Sequence, residues 1–97
     1  MPPPALSDCN GSLRLKADDA KTFGSRGFVY LKLGLPDNAI LDFDAALKIE
    51  PKLASALYGR GLARLKIGDA AGSNADVAAA MAIKPDIAEE LGRYGFR

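Results

Sequence analysis

Few side chains in this sequence are suited to catalysis. Histidine is absent, which removes both the commonest general base and the commonest metal ligand. Asp42 and Asp44 are spaced like the start of a calcium-binding loop, but the glycine and the final glutamate that such a loop requires are missing. The helical glycines do not form a phosphate-binding loop between a strand and a helix. The sequence therefore predicts a protein that is not an enzyme and that binds no metal or cofactor.

The composition is typical of one small globular domain. The 97 residues are 48% hydrophobic and 26% charged, which is enough for one modest core. Thirteen basic and twelve acidic residues leave a net charge of +1, so neither a nucleic acid nor a membrane surface is expected as a partner. We expect no membrane-spanning helix and no signal peptide. One cysteine forms no intrachain disulfide, so the compartment stays open: the cytoplasm by default, or an exported location if the chain comes from a longer precursor.

The chain repeats itself at a fixed period. When residues 20–53 are aligned with residues 54–87, eleven pairs are identical, against about two expected by chance at ordinary composition. The identical pairs are Ala20/Ala54, Arg26/Arg60, Gly27/Gly61, Leu31/Leu65, Lys32/Lys66, Gly34/Gly68, Asp42/Asp76, Ala45/Ala79, Ala46/Ala80, Ile49/Ile83 and Pro51/Pro85. Such a period indicates a repeat architecture.

Each repeat is predicted to form two helices. Apolar residues recur at helical spacing through the first helix, which Gly34 should end as a C-terminal glycine. Pro36 and Asp37 suit the start of the second helix, and Pro51 closes the unit. In the second repeat Gly68 and its neighbours follow the same plan.

These residues resemble the tetratricopeptide repeat family, whose unit of about 34 residues has small residues at fixed helix crossings, a glycine at the turn and a proline near the end. Gly27 and Gly61 stand at the crossings, where a larger side chain would wedge the helices apart. The resemblance implies an all-α fold, an antiparallel helical-hairpin solenoid of about six helices with a right-handed superhelix. It divides one domain, residues 1–97, into a half repeat (1–19), two repeats (20–53 and 54–87) and a C-terminal capping helix (88–97).

The resemblance also implies a groove, because the first helices of such repeats line a concave face. The matching positions are Lys21, Gly24, Phe28, Leu31, Lys32, Ser55, Tyr58, Leu62, Leu65 and Lys66, followed by Glu89, Gly92 and Phe96. They suggest a binding site for a peptide or protein segment with apolar anchors and some acidic character. The alternative is that the apolar members are core between repeats and the lysines are simply solvated.

Two further features have competing interpretations. Arg26 and Arg60 recur at one repeat position, and we favour the view that their aliphatic stems cover the helices while their charged heads reach water. The alternative is a ladder that binds acidic groups of a partner. Cys9 aligns with the apolar residues Phe43 and Val77, so we expect a small buried side chain rather than a nucleophile.

The ends of the chain carry the remaining predictions. The segment 88–96 is expected to cap the second repeat, with Leu91 and Tyr94 facing inward and with Glu89, Glu90 and Arg93 facing water. At the other end, residues 5–16 match only the second helix of a repeat, so an apolar patch is expected there. Either the chain is cut from a longer array or this end pairs with another copy. Self-association is therefore the alternative function, and a regulatory part of a larger enzyme is a third hypothesis.

Overall fold

The computed structural model describes residues 20–95, and within that range the chain contains five helices and no strand. The helices are α1 (Ala20–Lys32), α2 (Pro36–Ile49), α3 (Ala54–Lys66), α4 (Ala70–Ile83) and α5 (Ile87–Gly92). Each helix packs against its neighbours, with α1 on α2, α3 on α4, α2 on α3, and α5 on α3 and α4. The predicted all-α class is confirmed. The predicted half repeat over residues 1–19, with Cys9, lies outside the described residues.

The ends of the helices follow the predicted signals. Gly34 and Gly68 both have positive φ, at 76° and 90°, a conformation in which a side chain would be strained. After each glycine, the next backbone N–H returns to the helix that has just ended: Leu35 N donates to Tyr30 O at 2.9 Å, and Asp69 N to Arg64 O at 2.8 Å. The two turns are therefore built alike, at equivalent places in the two repeats.

The starts of the second helices differ between the two halves of the described chain. In α2, Pro36 occupies the first turn, where its missing N–H costs no hydrogen bond. In α4, the Asp69 side chain caps the helix by accepting from Gly72 N at 2.9 Å. Both solutions satisfy the same requirement, since the first N–H groups of a helix have no partner within it.

The core is centred on Phe43, which is fully buried between α1, α2 and α3. The rings of Phe43 and Phe28 form an edge-to-face contact, with their centroids 5.0 Å apart and an angle of 74° between the ring planes. Gly27 on α1 and Gly59 on α3 lie against the same ring, where a Cβ at either position would overlap it. Gly61 is equally confined, because a Cβ there would lie 2.9 Å from Val77 Cγ2 and 3.1 Å from the Ser73 carbonyl oxygen. The prediction that Gly27 and Gly61 lie at close helix approaches is confirmed.

We expect Gly27→Ala to lower the free energy of unfolding by about 1–3 kcal/mol, because its Cβ would lie 2.8 Å from Phe43 Cε1 and the buried ring cannot move away. Gly24→Ala on the same helix is the matched control. Its nearest neighbour would be Leu53 Cδ2 at 3.9 Å, so replacing a helical glycine should raise stability by about 1 kcal/mol. Urea denaturation of both variants checks the pair, and equal effects would contradict the packing described around Phe43.

The C-terminal segment partly matches its prediction as a cap. Ile87 and Leu91 are buried, while Glu89 and Arg93 face solvent. Tyr94 was expected to face inward, but 65% of it is exposed. The reason is local: α5 ends at Gly92, so Tyr94 lies in the turn after the helix rather than on its inner face. None of the helices between Ala20 and Gly92 is long and apolar enough to span a bilayer.

Candidate functional site

The ten predicted groove residues divide equally between α1 and α3. Three of them are buried, namely Gly24, Leu31 and Tyr58; three are half-buried, namely Phe28, Ser55 and Leu62; four are exposed, namely Lys21, Lys32, Leu65 and Lys66. Leu31 and Tyr58 belong to the buried core, with Phe28 and Leu62 packed against it. Some apolar members of the set are therefore core, as the alternative interpretation states, and the lysines with Leu65 remain accessible.

A small open pocket lies between α3 and α5. It is lined by Tyr58, Ala88, Glu89 and Gly92 and has a volume of about 290 Å³. Three of these four residues, Tyr58, Glu89 and Gly92, were predicted as groove positions, whereas Ala88 was not. Small-molecule sites in proteins usually occupy about 300–1,000 Å³. The pocket is thus at the lower end of that range. The further predicted position, Phe96, lies outside the described residues.

The two repeated arginines do not extend their heads into water, so that prediction was wrong. Arg26 forms a two-pronged ion pair with Asp42, in which Nε donates to Oδ2 at 2.7 Å and Nη2 to Oδ1 at 2.8 Å. Arg60 binds Asp76 in the same manner, with both distances at 2.9 Å. Both carboxylates are buried. Each pair joins the two helices of one repeat, and a buried carboxylate needs such a partner.

A second set of contacts extends the ion pairs in the second repeat. Arg60 Nη1 also donates to Asp44 Oδ1 at 2.8 Å, which connects α3 to the preceding α2. Arg64 Nη1 donates to Asp76 Oδ2 at 2.9 Å. The hydrogen bond to Asp76 raises the pKa of Arg60 above its ordinary value, against the opposing effect of burial, and Asp44 adds to the rise. Arg60 therefore keeps its charge at every accessible pH.

The carboxylates considered as a calcium site are engaged elsewhere. Asp42 and Asp44 lie within α2, and both accept hydrogen bonds from arginines of neighbouring helices. Between residues 20 and 95, no group of three or more histidine, cysteine or acidic side chains is placed to hold a metal ion. The carboxylates of Asp42 and Asp44 therefore stabilise contacts between helices.

The sequence contained a signal for these pairs that its interpretation missed. Arg26/Arg60 and Asp42/Asp76 are identical pairs at equivalent repeat positions, so the separation between arginine and aspartate is the same in both repeats. A recurring separation of opposite charges across a helical hairpin indicates a contact. The contact is not apparent when the arginines are considered without the aspartates.

Comparisons of the chain with models of protein families, with curated proteins and with solved structures found no match.

Proposed function

We propose that this chain is a peptide-binding module, a short solenoid of helical hairpins similar to tetratricopeptide repeats, with α1, α3 and α5 lining its concave face. Two structural features support the repeat assignment: the equivalent turns at Gly34 and Gly68, and the equivalent ion pairs Arg26–Asp42 and Arg60–Asp76. The observation that carries the function is the pocket at Tyr58, because it opens where the second hairpin meets α5.

The pocket defines the chemistry of one anchor in the partner. Tyr58, Ala88 and Gly92 present an aromatic ring and small groups, and Glu89 is the one charged residue among the four that line the pocket. A large apolar side chain fits such a site, since recognition pockets are usually apolar with few polar groups. An acidic residue placed directly beside the anchor would meet Glu89 and be disfavoured.

The exposed lysines favour a partner whose acidic part lies further along the proposed groove. Lys66 follows Tyr58 by eight positions on α3, which is about 12 Å along a helix axis. An extended peptide covers that distance in about four residues. We therefore propose a partner segment in which a large apolar residue and an acidic residue are separated by roughly three or four positions.

The test is selection from a library of random peptides displayed on phage, followed by measurement of the dissociation constant of the enriched sequences by calorimetry. We expect enrichment of peptides in which a large apolar residue and an acidic residue are separated by roughly three or four positions. Tyr58→Ala should weaken binding at least about tenfold, as loss of a central aromatic contact does. Because Tyr58 is buried, circular dichroism should accompany the measurement to confirm that this variant is folded.

A pair of charge reversals provides a test that does not depend on a buried residue. Lys66→Glu, on the exposed end of α3, should weaken binding and slow association. Lys48→Glu, at a position that is also exposed but lies on α2, should leave both unchanged. Selected peptides that bind the Lys66→Glu and Tyr58→Ala variants as tightly as the original protein would contradict the proposed groove.

A further inference from the structure

The pocket at Tyr58 has one carboxylate on its rim, and between residues 20 and 95 that carboxylate forms no ion pair. It belongs to Glu89, which lines the pocket and is exposed. The next residue, Glu90, is bound to Lys84, so the two glutamates of α5 differ although they are adjacent. The other residues that line the pocket are uncharged. Glu89 can therefore pair with a charge that a partner brings.

Charge is unevenly distributed over the proposed concave face. The exposed charges among the predicted groove positions are three lysines on α1 and α3, namely Lys21, Lys32 and Lys66, and one carboxylate on α5, namely Glu89. A wholly acidic segment would be attracted to the lysines and repelled at Glu89, and a wholly basic segment would meet the reverse. Complementarity therefore favours a segment that carries both charges, with the basic one at α5.

The repeat sets the order of these charges along the groove. Glu89 holds the repeat position of Ser55, and α5 packs on α3. In the proposed solenoid these two helices run in the same direction, so Glu89 is level with Ser55, about 4.5 Å before Tyr58 along the helix axis. Lys66 lies about 12 Å beyond Tyr58. The carboxylate and the lysine are thus on opposite sides of the position that the apolar anchor occupies.

We propose that Glu89 binds a basic side chain of the partner, a lysine or an arginine, which lies one or two positions from the apolar anchor and on the side away from the acidic residue. This inference rests on the proposed function, because it adds a charged contact to the anchor that the pocket binds. The distance of about 4.5 Å corresponds to between one and two residues of an extended chain. The partner segment therefore has the order basic, apolar, acidic, in either chain direction.

The first test carries out the phage selection in parallel on the original chain and on Glu89→Lys. The original chain should enrich lysine or arginine beside the anchor, on the side away from the acidic residue. Glu89→Lys should retain the anchor and enrich aspartate or glutamate at that place instead. Glu50→Lys is the matched control, since it changes the net charge equally at an exposed residue after α2. It should keep the preference for a basic residue.

Calorimetry with synthetic peptides then measures the size of the preference. The peptides carry an enriched anchor and acidic residue, have blocked ends so that no terminal charge contributes, and differ only in lysine, glutamine or glutamate at the basic position. The original protein should bind the lysine peptide about twofold to fivefold more tightly than the glutamine peptide, as expected for an exposed ion pair. The preference should decrease with added salt and be absent in Glu89→Gln, which circular dichroism should show to be folded.

The outcomes separate this inference from the proposed function. If no displayed peptide binds, or if Tyr58→Ala leaves the binding of the selected peptides unchanged, both are wrong. The assignment of Glu89 alone is overturned if peptides bind through Tyr58 but the lysine, glutamine and glutamate peptides bind equally tightly. It is also overturned if Glu89→Lys and Glu50→Lys change the selected charge alike, because the preference would then follow the net charge of the protein.

Discussion

Phe43→Ala should lower the free energy of unfolding by about 3–5 kcal/mol, the range for deletion of a large buried aromatic side chain. The ring is fully buried and is the point at which three helices meet, with Gly27 of α1 and Gly59 of α3 against it. The glycines that accommodate the ring bring no side chain that could fill the space it leaves. Since small domains are stable by only about 5–15 kcal/mol, this variant should be close to unfolded at physiological temperature.

Leu41→Ala on the same helix is the control for this prediction. Leu41 is an apolar side chain two positions from Phe43, but 69% of it is exposed, so its removal should change stability by no more than about 0.5 kcal/mol. Urea denaturation monitored by circular dichroism measures both variants. A loss below about 1 kcal/mol for Phe43→Ala would contradict the assignment of Phe43 as the centre of the core.

Asp76→Ala should cost about 3 kcal/mol of stability. Removing one member of a buried ion pair typically costs about 3–5 kcal/mol, because the remaining charge keeps its desolvation without its partner. Here Arg60 and Arg64 both donate to Asp76. The expected effect lies at the lower end of the range, since Arg60 retains its contact with Asp44 and the side chains of Arg60 and Arg64 are 20% and 28% exposed.

Asp44→Ala is the matched comparison, because Asp44 accepts from the same arginine at a similar distance. The two carboxylates differ in burial: the side chain of Asp44 is 48% exposed and that of Asp76 is 6% exposed. An exposed ion pair contributes about 0–1 kcal/mol. Thermal unfolding of both variants measures how much each carboxylate contributes to stability. Equal destabilisation would mean that burial does not determine how much an ion pair of Arg60 contributes.

The helices and their ends could largely be predicted from the sequence because their signals are local. Gly34 and Gly68 end helices where a left-handed residue is needed, and Pro36 begins one where an N–H is dispensable. The internal repeat added a second, independent copy of most of these signals. Gly27 and Gly61 were predictable as close approaches for the same reason, since a helical glycine repeated at one position indicates a packing requirement.

The ion pairs could not be predicted from one residue type at a time. Whether an arginine head reaches water or a carboxylate depends on which residue of the neighbouring helix faces it, and that is set by how the two helices cross. Arg60 shows the difficulty, since its contact with Asp44 has no equivalent one repeat later, where Ala78 stands in place of Asp44. Tyr94 was misplaced because α5 ends at Gly92, so Tyr94 lies in the turn after the helix and not on its inner face.

The site could be predicted only as a set of positions. Tyr58, Glu89 and Gly92 were named from the resemblance, and the structure places them around one pocket with Ala88. The depth of that pocket depends on how α5 rests against α3, which no local pattern in residues 88–95 specifies. Leu31 is an example of the same limitation, because a position on the inner side of a helix can be core or groove according to the tilt of its neighbours.

The most direct test of the proposed function is a titration of the ¹⁵N-labelled protein with a peptide selected from the library. The titration is monitored through the chemical shifts of the backbone amides. We expect the largest shift changes on α1, α3 and α5, with Tyr58, Lys66 and Gly92 among them. Exposed residues of α4, such as Ala78, should show little change in their amide shifts. Changes concentrated on α2 and α4, with Tyr58 and Gly92 unaffected, would contradict the proposal that the concave face binds the partner.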